Sequence, residues 1–136
     1  MTGSVQVDGL KSDKKKFEKV EKYFKLKEYD NAKRTLDQII ANDEFNIEAN
    51  CKWIYAVIKL FNITEDDFKN KDIIGENPEA WQYIKQILTK FERLSTIDNN
   101  NERNIYLQDL YSLLDVMKKY MQKGYFIFLN NLDSAV

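Results

Sequence analysis

From Asp13 onward the chain places its apolar residues at intervals of three and four. Phe17, Val20, Tyr23 and Phe24 form the first set, and Tyr29, Ala32, Leu36, Ile39 and Ile40 resume it after a polar break between Lys27 and Asp30. Such spacing lines one face of an α-helix, so two helices joined by a short connection are predicted. Ala49, Trp53, Ile54, Val57, Ile58 and Phe61 mark a third helix. Thr64-Glu65-Asp66-Asp67 follows, where Thr64 is placed to cap a short fourth helix leading to Phe68.

Asn77-Pro78 is a further start signal, because Asn accepts hydrogen bonds from orphan amides and Pro at the first helical position loses no bond. Trp81, Ile84, Ile87, Leu88, Phe91 and Leu94 then outline a fifth helix, which the polar tract Asp98 to Asn101 ends. Ile105, Tyr106, Leu110, Leu113, Leu114, Met117, Tyr120 and Met121 predict one continuous sixth helix. Beyond Gly124, the apolar run Tyr125 to Leu129 suits a helical turn or a short strand, and no partner strand is visible elsewhere. Residues 1–12 carry no period and are expected to be disordered, which leaves 13–132 as a single domain.

Composition narrows the class. With one proline and four glycines in 136 residues, few helix breakers and few sheet turns are available, so the fold is expected to be all-α. The same shortage of glycine excludes a glycine-rich phosphate loop or a dinucleotide fingerprint. Histidine is absent, which removes the commonest general base and metal ligand together. Cys51 is the sole cysteine, too few for an intrachain disulfide or a cysteine zinc site. Adjacent Asp66 and Asp67 point to different sides of a helix and suit its N-terminal dipole better than paired carboxylate chemistry. No enzyme activity, cofactor or metal is therefore expected. No apolar run approaches membrane-spanning length and no export signal is visible, so a cytoplasmic location is expected.

The helices also repeat. Shifting by 34 matches Phe17 with Cys51, Val20 with Ile54, Tyr23 with Val57 and Phe24 with Ile58; a further shift of 30 carries Trp53 to Tyr83, Ile54 to Ile84 and Phe61 to Phe91. In the stretch Tyr23 to Ala49, the positions Tyr23, Tyr29-x-x-Ala32, Leu36, Ile39 and Asn46-x-Glu48-Ala49 resemble the tetratricopeptide repeat (TPR), a helix-turn-helix unit that hides its apolar face only against a stacked neighbour. The resemblance implies antiparallel hairpins in a short TPR-like array with a C-terminal capping helix. It also implies a non-catalytic adaptor or cochaperone-like module that holds a peptide or helix in a concave groove.

Carried onto this chain, the family's groove positions fall on Lys14, Phe17, Glu21, Phe24 and Lys25, then Glu48, Cys51, Tyr55, Ile58 and Lys59, then Trp81, Lys85 and Leu88. Phe17, Phe24, Ile58 and Leu88 also read as core, and Cys51 reads as a buried thiol. This leaves Lys14, Glu21, Lys25, Tyr55, Lys59, Trp81 and Lys85 as the partner-binding candidates. Aromatic rings beside lysines suit a peptide with acidic and apolar anchors. The lysine and asparagine of a chaperone-tail clamp are not found at Phe17 and Glu21, so that ligand is not implied. The alternatives are a helical-bundle inhibitor of one folded partner, such as an immunity protein or antitoxin, and RNA binding by the lysine-rich first helix. The net charge of −1 confines any such nucleic-acid attraction to that helix.

Overall fold

The computed structural model describes residues 2–69 and 78–120, with the backbone path alone at 2–12, 67, 69, 78, 80 and 81. The described residues are helical and contain no strand. Helix α1 spans Thr2–Lys25, α2 Tyr29–Asn42, α3 Ile47–Leu60, α4 Glu65–Lys69, α5 Pro78–Ile97 and α6 Glu102–Leu107. A 3-10 turn, Gln108–Leu110, leads from α6 into a last helix, α7, over residues 111–120.

Local signals set these ends. At the C-terminus of α1, the Lys27 amide donates to the Phe24 carbonyl and the Glu28 amide to that of Tyr23, with Lys27 left-handed at φ 59°. The end of α3 repeats the pattern: Asn62, at φ 52°, donates to Lys59 and Ile63 to Ile58. These are Schellman caps. Asparagine tolerates the left-handed position, whereas Lys27 adopts it at a cost of about 1 kcal/mol relative to glycine. Asn46 caps the start of α3, its Oδ1 accepting from the Ala49 amide at 2.8 Å.

Helix α3 is the hub. It packs against α2 on one side and against α5 and α6 on others, while α2 packs against α1. Ala49, Cys51, Ile54, Ala56 and Val57 on α3 are wholly buried, as are Val20, Leu36, Ile39, Ile84 and Ile87 around them. Ala32, also fully buried, supplies the small side chain that lets helices approach closely in the first hairpin.

Three expectations differ from what is found. Helix α1 begins at Thr2, so the segment read as disordered is helical. Once Phe17 and Val20 anchor a helix, extending it backward through proline-free sequence costs little per residue. The long sixth helix is interrupted at Gln108–Leu110. There the tighter 3-10 turn of three residues keeps Leu107, Leu110 and Leu113, spaced by three, on the same buried face. The polar tract after α5 also does more than end it. Asp98, its side chain shut off from solvent, accepts from the amides of Glu102 and Arg103 at 2.8 and 2.9 Å and from Arg103 Nε at 3.2 Å, and so caps α6. The run Tyr125 to Leu129 and Asn77 lie outside the described residues.

Two tests follow from this packing. Ile54→Ala should lower unfolding free energy by about 2–5 kcal/mol, the usual range for truncating a fully buried aliphatic side chain, measured by urea denaturation. Burial opposes the charge on Asp98, but the hydrogen bonds from Arg103 and Glu102 outweigh it and hold the carboxyl below its ordinary range. Its contribution is thus present above the ordinary aspartate pKa and is lost as pH falls through the depressed value. Asp98→Asn should remove that part of the acid-side slope in a stability-versus-pH series.

Candidate partner-binding cleft

Glu48, Lys52, Tyr55 and Lys59 succeed one another by four, three and four residues, so they form one stripe along α3. Opposite it lies the α1 stripe Phe17, Glu21 and Phe24. The two meet through side chains. Lys52 Nζ donates to a Glu21 carboxylate oxygen across the cleft and to Glu48 Oε2 at 2.7 Å on its own helix. The same ammonium lies 5.4 Å from the Phe17 ring centre and 5.5 Å from that of Tyr106 on α6. Burial works against a charge there, yet the hydrogen bonds to Glu21 and Glu48 prevail and raise the Lys52 pKa above its ordinary value.

Toward the C-terminal ends of α1 and α3 the cleft is aromatic. The Phe24 and Tyr55 rings meet edge to face, with centres 5.0 Å apart, and Tyr29 stands 6.2 Å from Phe24 and 6.3 Å from Tyr55. All three rings are half-buried. Burial, followed by the neighbouring Tyr29, pushes the Tyr55 phenol up. Lys59 Nζ lies 5.6 Å from the Tyr55 ring, and Lys25 and Lys59 are both exposed in the last turns of their helices, where cations complement the dipole.

Of the partner-binding candidates, Glu21, Tyr55 and Lys59 come together here, with Lys25 exposed on the final turn of α1. Lys14 is exposed further back on α1. Lys85 is half-buried on α5, whose ring and ammonium contacts to α3 are made by Tyr83 and Lys90 at Trp53, away from the Tyr55 stripe. The Trp81 side chain lies outside the described residues.

Among the other groove positions, Cys51, Ile58 and Leu88 belong to the core, while Phe17 and Phe24 are half-buried and pack against it. Burial, and next the Asp98 carboxylate, pushes the Cys51 thiol up to about 12, so it stays protonated and unreactive at neutral pH. Lys52 is the cleft residue that the repeat register misses. Its i,i+4 spacing from Glu48 is visible in the chain, but Glu21 is brought to it by the fold.

Among the described residues no group of three or more His, Cys, Asp or Glu side chains is arranged to hold a metal ion, and no helix is long and apolar enough to cross a membrane. No family model matches the chain, and neither a curated protein nor a solved structure does.

Lys52→Met should leave Glu21 and Glu48 facing each other without their cation and lower stability by about 1–3 kcal/mol, the range for stripping a charged hydrogen-bonding partner. Because the folded-state pKa is raised, the lysine's contribution is full below the ordinary 10.5 and is lost as pH rises through the folded value. Denaturation midpoints of the two proteins should therefore differ at neutral pH and converge in strong alkali.

Proposed function

We propose that this chain is a non-catalytic protein-interaction module, a short TPR-like stack that binds a peptide or helix of a partner along the cleft between α1 and α3. The observation that carries the reading is the half-buried ladder Phe24, Tyr29 and Tyr55 flanked by the exposed ammonium groups of Lys25 and Lys59. Interface anchors are typically large aromatic rings already fixed in place, which bind with little further loss of side-chain entropy. The acids Glu21 and Glu48 are engaged by Lys52, whereas Lys25 and Lys59 are exposed in the last turns of α1 and α3, Lys59 5.6 Å from the Tyr55 ring. Asp109 lies near enough to act on Tyr55, so the surroundings are mixed in charge and their cationic part is Lys25 and Lys59 in the last turns of α1 and α3. A segment with an aromatic or aliphatic anchor followed by a carboxylate suits this arrangement.

Support for the repeat itself comes from the chain stops. The left-handed caps at Lys27 and Asn62 occupy equivalent points at the ends of α1 and α3, and α2 packs against both α1 and α3 as a shared middle layer. A cytoplasmic adaptor is the matching role.

Selection from a displayed random-peptide library tests the proposal. Peptides combining an apolar anchor with acidic residues should be enriched on the wild type. Their affinity should fall by about tenfold on Lys25→Glu, Lys59→Glu protein, for a pair of exposed charges reversed, with its circular dichroism unchanged. Enriched peptides that bind the double variant as well as the wild type would move the binding surface elsewhere.

A further inference from the structure

A second arrangement of side chains occupies a different face of α3. Trp53 stands about 100° round the helix from Lys52, and Asn50 about 160°. Trp53 is almost wholly buried, and its Nε1 donates to Asp37 Oδ1 on α2 at 2.8 Å. Lys90 of α5 places its ammonium 4.7 Å from the centre of that indole, and Lys33 of α2 lies 5.8 Å from it and 5.5 Å from the neighbouring Tyr83 ring. Arg93, one turn beyond Lys90, is close enough to depress the Lys90 pKa, as is Lys33. Two cations from two helices thus converge on one aromatic floor, and Arg93, whose own ring contact is Phe45 at 5.9 Å, stands beside them.

Their counter-charges are unequally shared. Asp37 uses one oxygen for the indole and the other for Lys33 at 2.9 Å, and Glu44, largely exposed, holds Arg93 at 3.0 Å. Lys90 has no carboxylate within ion-pair distance among the described residues. Its hydrogen bond is to a neutral acceptor, Asn50 Oδ1, at 3.2 Å. Burial first, then Arg93, lowers its pKa below the ordinary lysine value. The Asp37 and Glu44 carboxylates act on this ammonium from a distance and offset part of that effect, but both are engaged elsewhere, and the direct contacts of Lys90 are a neutral amide and a ring face.

We propose that Lys33 and Lys90, gathered beside Trp53 and Tyr83, form with Arg93 one turn beyond Lys90 a binding site for an oxyanion, either the carboxylates of an acidic peptide or a free phosphate. Lys90 supplies the inner contact and Arg93, with 42% of its side chain exposed, the outer one, through the guanidinium N–H groups that Glu44 does not take. The site does not rest on the α1–α3 cleft and stands whether or not that cleft binds a peptide.

The test is a titration of the ¹⁵N-labelled full chain at fixed ionic strength, with inorganic phosphate in one arm and a penta-aspartate peptide in the other. The Trp53 indole N–H signal, whose ring lies under Lys90, is the reporter. Saturable movement of that signal is expected, weakened by about tenfold in Lys90→Gln, the loss for one charge-assisted hydrogen bond. Saturation by the peptide alone assigns a carboxylate ligand, and saturation by phosphate alone a phosphate. Arg93→Gln, at an exposed position, decides the matter if Lys90→Gln fails to give a folded spectrum. Absence of saturable movement in both arms, or movement that the folded variants leave unchanged, overturns the proposal.

Discussion

Helix α3 has to be hidden on nearly every side, and the rest of the molecule is disposed around that need. From Ala49 to Ile58 only Lys52 and Tyr55 are more than marginally accessible, so α3 lacks the polar half that a surface helix keeps in water. The helix therefore takes neighbours in several directions at once: α2, α5 and α6 pack on it, and α1 reaches it through Glu21 and Phe24. The surrounding helices can remain amphipathic because each needs to cover only one side of α3. Alanines at 49 and 56 keep the central helix thin enough for that crowding, and leucines spaced by three across the Gln108–Leu110 turn keep the last helices turned toward the core.

A helix so enclosed must satisfy any polar group it carries, and α3 carries two in contrasting ways. Lys52 keeps its charge through two carboxylates and two ring faces. Asn50, 4% exposed, donates through its amide to the carbonyls of Glu44 and Asn46, at 3.0 and 2.7 Å, and offers its oxygen to Lys90. The first arrangement ties α3 to α1, and the second ties it to the α2–α3 turn and to α5. Since a buried donor left without an acceptor costs about 1–3 kcal/mol, sliding either neighbour along α3 carries a penalty that apolar contacts alone would not impose.

Helix locations were legible because burial direction is written in the three-and-four spacing of apolar residues, and Phe17 to Ile40, Ala49 to Phe61 and Ile84 to Leu94 display it plainly. The ends were less so. Nothing in the residue type of Lys27 announces a left-handed cap, since glycine is the usual signal, and Asp98 reads as a terminator of the helix before it while its oxygens serve the helix after it. Side-chain direction on α3 was the hardest part. A helix buried around most of its circumference has no single apolar stripe, so the repeat register fell on Cys51 and Ile58, which also read as core and are buried, and it passed over Lys52. Lys52 next to Glu48 has the sequence signature of an ordinary surface pair, and its second carboxylate comes from 31 residues away.

The two polar faces of α3 differ in what they leave unsatisfied. On the Lys52 side the ammonium is fully engaged by two acids, so recognition there falls to the rings of Phe24, Tyr29 and Tyr55 and to the exposed Lys25 and Lys59. On the Trp53 side the indole is inward, Tyr83 is half-buried, and among the described residues the three cations are held by two acids. There the indole is polarised as well as covered: giving its N–H to Asp37 draws electron density toward the ring face that Lys90 occupies, which strengthens the attraction between ring and ammonium. That attraction, with the more distant Asp37 and Glu44, favours the charged form of a lysine that has no carboxylate in direct contact among the described residues. A lysine held this way remains available to an incoming anion, because among the described residues it has no ion pair that must be broken first.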